Sequence, residues 1–318
     1  MKSIITLLAA LCLSGGAFAQ TWPNKPVRII VPLPPGSGTD ITGRAVAERL
    51  SAQTGQSFIV ENRPGGAGSI GMNAVAKADA DGYTLLVMSS SWTVTPSTVR
   101  NLPYDTLGDL AGVTILADIA NALAVKADRP FKSVSELIAA AKANPGKMNA
   151  AVIGLGSATH LTTERFRLGA GIDVLSVPYK GTPEALADVL SGRVDYCFCP
   201  IGIVMPMVKD GRLRALAVSS AKRASGVPEL PTTEEAGVPN SAQPFWVGMG
   251  APAKTPREVI ARLHAETVKA LNSPELKARW ASLNQDSRIF TPEQFDAFLR
   301  DDLASNAALI KAANIKLD

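Results

Sequence analysis

The chain has 318 residues, 32 Lys plus Arg against 28 Asp plus Glu, a formal net charge of +4 and 46% hydrophobic residues. No Lys/Arg cluster is dense enough for nucleic acid, and the mild, dispersed basicity suits a protein that handles small anions. Two histidines and three cysteines argue against a His-rich zinc site and a disulfide framework.

Met1-Lys2 sets a positive charge before an apolar run from Ile4 to Leu13, and Ser14-Gly15-Gly16 leads to Ala17-Phe18-Ala19 before Gln20. This is the pattern of a secretory signal peptide cleaved after Ala19, too short to span a membrane. Cys12 follows Leu11, where lipid attachment needs a small residue, so no lipoprotein is expected. The mature chain, residues 20–318 with charge +3 after loss of Lys2, is expected in the periplasm, and its size suggests two domains.

Apolar, β-branched runs predict strands at Val27–Val31, Phe58–Val60, Thr84–Met88, Val113–Leu116, Ala122–Val125, Asn149–Val152, Asp173–Val177, Val194–Phe198 and Leu213–Val218. Helical patterns between them cover Thr39–Thr54, Ser69–Ala78, Ser133–Ala143, Ala158–Leu168, Pro183–Ser191 and Gly202–Lys209. This alternation predicts an α/β fold with mostly parallel sheets flanked by helices. Ser133-Val134-Ser135-Glu136, Thr255-Pro256-Arg257-Glu258 and Thr291-Pro292-Glu293-Gln294 read as capping boxes.

The first strand runs into Pro32-Leu33-Pro34-Pro35-Gly36-Ser37-Gly38-Thr39-Asp40. The loop lacks the third Gly of a dinucleotide fingerprint and the Gly-Lys-Ser/Thr of a P-loop. A second strand leads likewise into Gly154-Leu155-Gly156-Ser157-Ala158-Thr159-His160. Both loops would present unpaired N–H groups at a helix N-terminus, where the helix dipole also favours an anion. Ligands of open α/β sheets sit at the carboxyl ends of strands, so two such loops suggest a clamshell closing on an acidic ligand. The plainer alternative for the first loop is a strand–helix turn in which Thr39 or Asp40 caps the helix.

Ser157 and His160 invite a hydrolase reading, but no G-x-S-x-G elbow is present and Ser157 is placed to cap its helix. His160 reads equally as a packed histidine or as a hydrogen-bonding partner of a ligand. Asp301-Asp302 resembles a solvated helix face, and Asp195 a structural residue. Ser89-Ser90-Ser91 follows the third strand at the edge of the first loop; its hydroxyls could line a site, with Trp92 over it or in the core. Tyr179 could wall the cleft and Lys180 steer anions. Cys197 and Cys199, on one strand face, read as buried small hydrophobes, and their spacing does not favour a bond between them.

Several stretches carry a resemblance that spans the mature chain. They include Trp22-Pro23-Asn24-Lys25-Pro26-Val27-Arg28, the loop Val31–Asp40, Val60-Glu61-Asn62-Arg63-Pro64-Gly65-Gly66-Ala67-Gly68 and Asp81-Gly82-Tyr83-Thr84-Leu85-Leu86. Leu102-Pro103-Tyr104-Asp105, Val177-Pro178-Tyr179-Lys180-Gly181, Gly211–Val218 and Pro231–Gly237 continue it. On these residues the chain resembles the Bug family, extracytoplasmic receptors of tripartite tricarboxylate transporters. The resemblance implies a two-domain periplasmic binding protein, a Venus flytrap, for a small organic carboxylate: a di- or tricarboxylate, an acidic amino acid or an aromatic acid. It implies no enzyme activity, no cofactor, a monomer, and a membrane permease as partner, with a signalling partner as the alternative. The C-terminal segment would return to the first domain, giving 20–118 plus 222–318 and 119–221, with hinges near 117–121 and 218–222.

Carried over residue by residue, ligand contacts would come from Leu33, Pro35, Gly36, Ser37, Gly38, Thr39 and Asp40, from Ser89 and Ser90, and from Gly156, Ser157, Ala158, Thr159 and His160. Tyr179 and Cys199 complete the expected set. Leu33 stands where the family has an aromatic residue, Ser37 where it has a second Gly, and Cys199 where it has an acid. Specificity is therefore expected to depart from that of known members.

Overall fold

The computed structural model describes residues 22–153, 157–243, 245–313 and 315. The signal peptide with its cleavage after Ala19, and Gly156, lie outside the described residues. In chain order the elements are β1 (Val27–Val31), α1 (Gly38–Thr54), β2 (Phe58–Asn62), α2 (Ser69–Ala76), β3 (Thr84–Ser89), α3 (Ser91–Thr98), β4 (Leu110–Ile119) and β5 (Asn121–Lys126). Then come α4 (Val134–Ala143), β6 (Asn149–Ile153), α5 (Ala158–Ala170), β7 (Leu175–Tyr179), α6 (Thr182–Ser191), β8 (Tyr196–Pro200), α7 (Ile201–Lys209) and β9 (Leu213–Val218). The chain closes with β10 (Trp246–Pro252), α8 (Arg257–Leu271), α9 (Pro274–Leu283), β11 (Gln285–Asp286) and α10 (Pro292–Ala312).

The strands form two sheets, ordered β11-β4-β10-β3-β1-β2 and β7-β6-β8-β5-β9. Parallel pairing holds where a helix links neighbouring strands: β1 with β2 and β3, β6 with β7 and β8. The sheets are nevertheless mixed, because β10 runs antiparallel to β3 and β4, and β5 antiparallel to β8 and β9. Helices cover both faces of each sheet. Val46, Leu50, Leu263 and Trp280 bury one face of the first, and Met72, Trp92, Phe295 and Leu299 the other. Leu137 and Phe166 cover one face of the second, and Leu186, Val189 and Val204 the other. Each fully buried side chain of this size contributes roughly 1.5–3 kcal/mol. No helix among the described residues is long and apolar enough to cross a membrane.

The chain passes from the first sheet to the second through one residue, Ala120, between β4 and β5. The return segment follows β9 (Leu213–Val218). Thr232 bridges to Val218, Val238 packs with Phe166, and Ala224 and Val227 pack with Val204. Apolar side chains of residues 224–238 thus pack on the second sheet, while Ser225 donates to Asp286 of β11 in the first, and the chain re-enters the first sheet at Trp246.

Local signals explain most element ends. Ser37 caps α1 by accepting from Asp40 N, and Gly55 ends it at φ 72°. Thr291 and Gln294 form the full capping box of α10. Ser133 caps α4, but Glu136 reaches past it to Lys132 N. Thr255 does not cap α8: extended Pro256 (ψ 139°) holds that position. Both β7 and β8 start two residues later than the apolar runs suggest. Strand β10, Trp-Val-Gly-Met-Gly-Ala-Pro, escapes sequence patterning because of its glycines. A Cβ at Gly248 would collide with Phe295 and one at Gly250 with Trp92, so bulky rings dictate the residues that disguise the strand.

Asp302 is not on a solvated face. It is 7% exposed, and its Oδ2 accepts from Thr93 Oγ1 (2.7 Å) and Trp246 Nε1 (3.2 Å). Burial pushes its carboxyl above the usual range, against the pull of those two bonds. Asp302→Ala strands both donors and should lower stability by about 2–4 kcal/mol, read as a shifted denaturant midpoint, with Asp302→Asn losing less.

Candidate functional site

Strand register aligns the sheet edges. In the second sheet Ile153 pairs with Tyr179, Asn121 with Pro200, and Ala122 with Val218. The ends of β7, β6 and β8 and the start of β5 therefore share one edge. In the first sheet Ser89 pairs with Val247 and Asp118 with Trp246, so Ser89, Trp246 and Ile119 share another. The single-residue link at Ala120 joins these two edges.

At the first edge Gly36 turns at φ 79°, and its N–H donates to Asp40 Oδ2 (2.9 Å). Asp40 Oδ1 accepts from Asn62 Nδ2 (2.8 Å), and Arg44 pairs with the carboxylate (3.0 Å). Burial would raise this carboxyl, but Arg44, Gly36 and Asn62 outweigh it and hold it below its ordinary value. Asp40 therefore shapes the loop from inside; it is not turned outward as a ligand contact. Ser37 N donates to Pro34 O and Ile41 N to Ser37 O, while Asp40 N is taken by the Ser37 hydroxyl. The N–H groups of Gly38 and Thr39, first and second in α1, remain without a protein acceptor. Leu33 packs against the core under α1, Pro35 and Gly36 are exposed, and Thr39 is buried.

The start of α5 repeats this plan. The Ser157 hydroxyl accepts from His160 N (3.3 Å) and also contacts Ile153 O and Thr159 Oγ1. Thr159 Oγ1 donates to Ile153 O (2.9 Å). Leu161 N closes the first helical bond on Ser157 O, which leaves the Ala158 and Thr159 N–H groups facing outward from the helix start. Ala158, Thr159 and His160 are buried. The His160 ring stands 3.7 Å from Glu164, which also accepts from Arg167 (2.8 Å) and Ser176 (2.8 Å). The Ser157 hydroxyl thus serves as cap and loop brace.

Ser89 ends β3 fully buried, and its hydroxyl accepts from Ser91 N (3.4 Å). Ser90 N donates to Trp246 O (2.8 Å), and its buried hydroxyl has no protein partner. Trp92 fills core against Trp246 and Phe295. Two further residues of the expected set have partners within the fold. Tyr179 donates to Asp188 (2.6 Å), and burial together with that carboxylate pushes its hydroxyl up to about 12. Cys199 is fully buried and bonded to Cys197, contrary to the expectation from spacing, since their Cα atoms lie 5.8 Å apart, within disulfide reach. Asp195 is structural, accepting from Asn149 N (2.8 Å) and pairing with Arg129 (2.7 Å). No metal-binding cluster of His, Cys, Asp and Glu occurs among the described residues. Sequence reading passed over Asn121 and Ser219, which stand at the same edge; only register brings them there.

The family model described as tripartite tricarboxylate transporter family receptor matches residues 42–315. The chain belongs to this receptor family. It is 36% identical over 301 residues to BugT of Bordetella pertussis, covering 94% of this chain and 92% of that protein. Among solved structures it is similar to R. palustris Rpa4515 with adipate, at TM-score 0.83 and 34% identity, over 92% of this chain and 99% of that one. It is also similar to MatC from Rhodopseudomonas palustris with bound malate, at TM-score 0.77 and 26% identity, over 91% and 100%. The receptor is a periplasmic solute-binding protein of the two-domain α/β kind and not an enzyme.

Beneath α5 of the receptor lies a titratable group with a pH consequence. Burial alone would raise Glu164, but His160, Arg167 and Ser176 reverse this and hold it at about 2, against 4.5 unperturbed. A carboxyl lowered by folding stabilises fully above its unfolded value and loses that contribution as pH falls toward its folded value. Between pH 4.5 and 2 the receptor should lose roughly 3 kcal/mol through this group. In Glu164→Gln, denaturant titrations across this range should show a flatter acid limb.

Proposed function

We propose that the receptor captures a small organic carboxylate between the two sheet edges and delivers it to the membrane permease of a tripartite tricarboxylate transporter. The supporting observation is the pair of serine-capped helix starts. In each, the cap serine takes the third N–H, and the first two have no protein acceptor: Gly38 and Thr39 in one, Ala158 and Thr159 in the other. Such donors, backed by a helix dipole, suit a carboxylate. The adipate and malate in the two R. palustris relatives agree with this reading. The loops 33–40, 89–91 and 157–160 contain no Lys or Arg, so backbone and hydroxyl donors do the recognition.

Closure follows from the two crossings. Ala120 and the return after Gln243 are the hinges of this reading, and a ligand that binds better with the jaws together shifts the population toward the closed state. Export through the leader with cleavage after Ala19, and a monomeric mature protein, belong to the same proposal.

A carboxylate that binds only the folded receptor raises its melting temperature. Ligand-free protein screened against mono-, di- and tricarboxylates should show such a shift, and a flat screen would refute the proposal. Gly38→Pro gives a sharper readout. Proline is favoured at the first helical position and removes only the N–H, and a Cβ there meets nothing nearer than Ile119 Cδ1 at 3.6 Å. The variant should melt like the parent and bind the identified carboxylate about 10-fold more weakly by calorimetry.

A further inference from the structure

We propose that Asn121, with Ser219 and Ser90, forms a neutral polar subsite at the floor of the cleft that reads a hydroxyl on the captured acid. This rests on the carboxylate reading above and narrows it to hydroxycarboxylates.

Asn121 opens β5, one residue past the crossing, and is fully buried. Neither its Oδ1 nor its Nδ2 has a protein partner. Ser219 follows β9 directly, is 1% exposed, and its hydroxyl is equally unpartnered. Its N–H donates to Asn121 O (2.9 Å), which locks the two residues side by side. Ser90, from the opposite edge, adds a second buried serine hydroxyl without a partner. It is tied by Ser90 N to Trp246 O, while Ile119 N donates to Phe245 O (2.7 Å), so both crossings converge on this point.

Buried polar side chains are ordinarily hydrogen-bonded, and a fully buried amide with both ends unpaired is a costly exception. Three such groups, just after β3, at the start of β5 and just after β9, stand at the sheet edges that Ala120 joins. Folding does not use them, so the demand for their partners falls on what enters the cleft.

Their chemistry selects the partner. An amide offers a donor and an acceptor, and each serine hydroxyl can serve as either. A hydroxyl also donates and accepts, and satisfies Asn121 at both ends. A second carboxylate, which only accepts, would face Asn121 Oδ1 without a donor, and a methylene would leave all three groups unpaired. The backbone donors of the two helix starts hold the acid, and the floor distinguishes substituted from plain chains.

The test uses matched pairs on the ligand-free receptor by calorimetry: succinate against each malate enantiomer, and glutarate against each 2-hydroxyglutarate enantiomer. One hydroxylated acid should bind about 10-fold more tightly than its plain partner. Asn121→Leu, of similar volume, should abolish that preference while leaving plain-acid affinity within about 2-fold and the unliganded melting temperature unchanged or raised. Ser219→Ala should reduce the preference without reducing stability. Equal affinities within every pair, or an Asn121→Leu variant that keeps the preference, overturns the inference and leaves the carboxylate reading standing. A variant that loses stability and weakens all acids alike shows a structural role for Asn121 and overturns it too. Failure of every acid to bind the parent overturns both readings.

Discussion

One residue, Ala120, stands between the last strand position of one sheet and the first of the other. The rest of the receptor depends on this short link. A longer connection would let the sheets sit at any offset, whereas a single residue brings the end of β4 against the start of β5 and so sets edge against edge. The sheets are mixed because β10 runs antiparallel to β3 and β4, and β5 antiparallel to β8 and β9. The later return at Trp246 braces the link, since Ile119 N donates to Phe245 O and Ser219 N to Asn121 O.

Within that frame, the acidic side chains of the first loop and of α5 are spent inside the fold. Asp40 is the residue of the first loop whose type most suggests ligand chemistry, and it is spent internally on Gly36, Asn62 and Arg44. Glu164 plays the corresponding part beneath α5, spent on Arg167 and Ser176. Asp40 lies in the first turn of α1 and Glu164 in the second turn of α5, and each fixes backbone or helix from inside the fold. What remains outward is a set of backbone N–H groups and hydroxyls. Such donors bind an acid without the desolvation penalty that a buried guanidinium would add.

The two jaws are also coupled behind the cleft. Arg165 of α5 donates to Gln243 (2.7 Å), Gln243 to Asn306 (3.3 Å), and Asn306 to Thr93 (3.1 Å), which itself donates to Asp302. Leu161 packs beside this chain with Val94, Leu309 and Ile310. The helix capped by Ser157 is thus connected through α10 to the helix that follows Ser90, so neither loop rests on an independent support.

By itself the sequence determined what depends on near neighbours. The β-branched strands, the helices between them and the cap at Ser157 were legible because their causes act within a few residues of chain, whereas the cap of α1 falls on Ser37 and not on Thr39 or Asp40. The family resemblance was legible because its motifs are local too. Tertiary structure decided the rest. Asp302 reads as surface until Thr93, 209 residues away, donates to it. Strand β10 reads as loop until Phe295 and Trp92 explain its glycines. The Tyr179 hydroxyl finds Asp188, and Cys197 and Cys199 read as unbonded buried small hydrophobes until the strand sets them within disulfide reach. Asn121 and Ser219 carry no motif, and only strand register sets them beside each other at the cleft floor. Local chemistry names the groups a chain possesses, but whether a polar group is spent on the fold or left for a ligand is settled by distant residues that packing brings within hydrogen-bond reach.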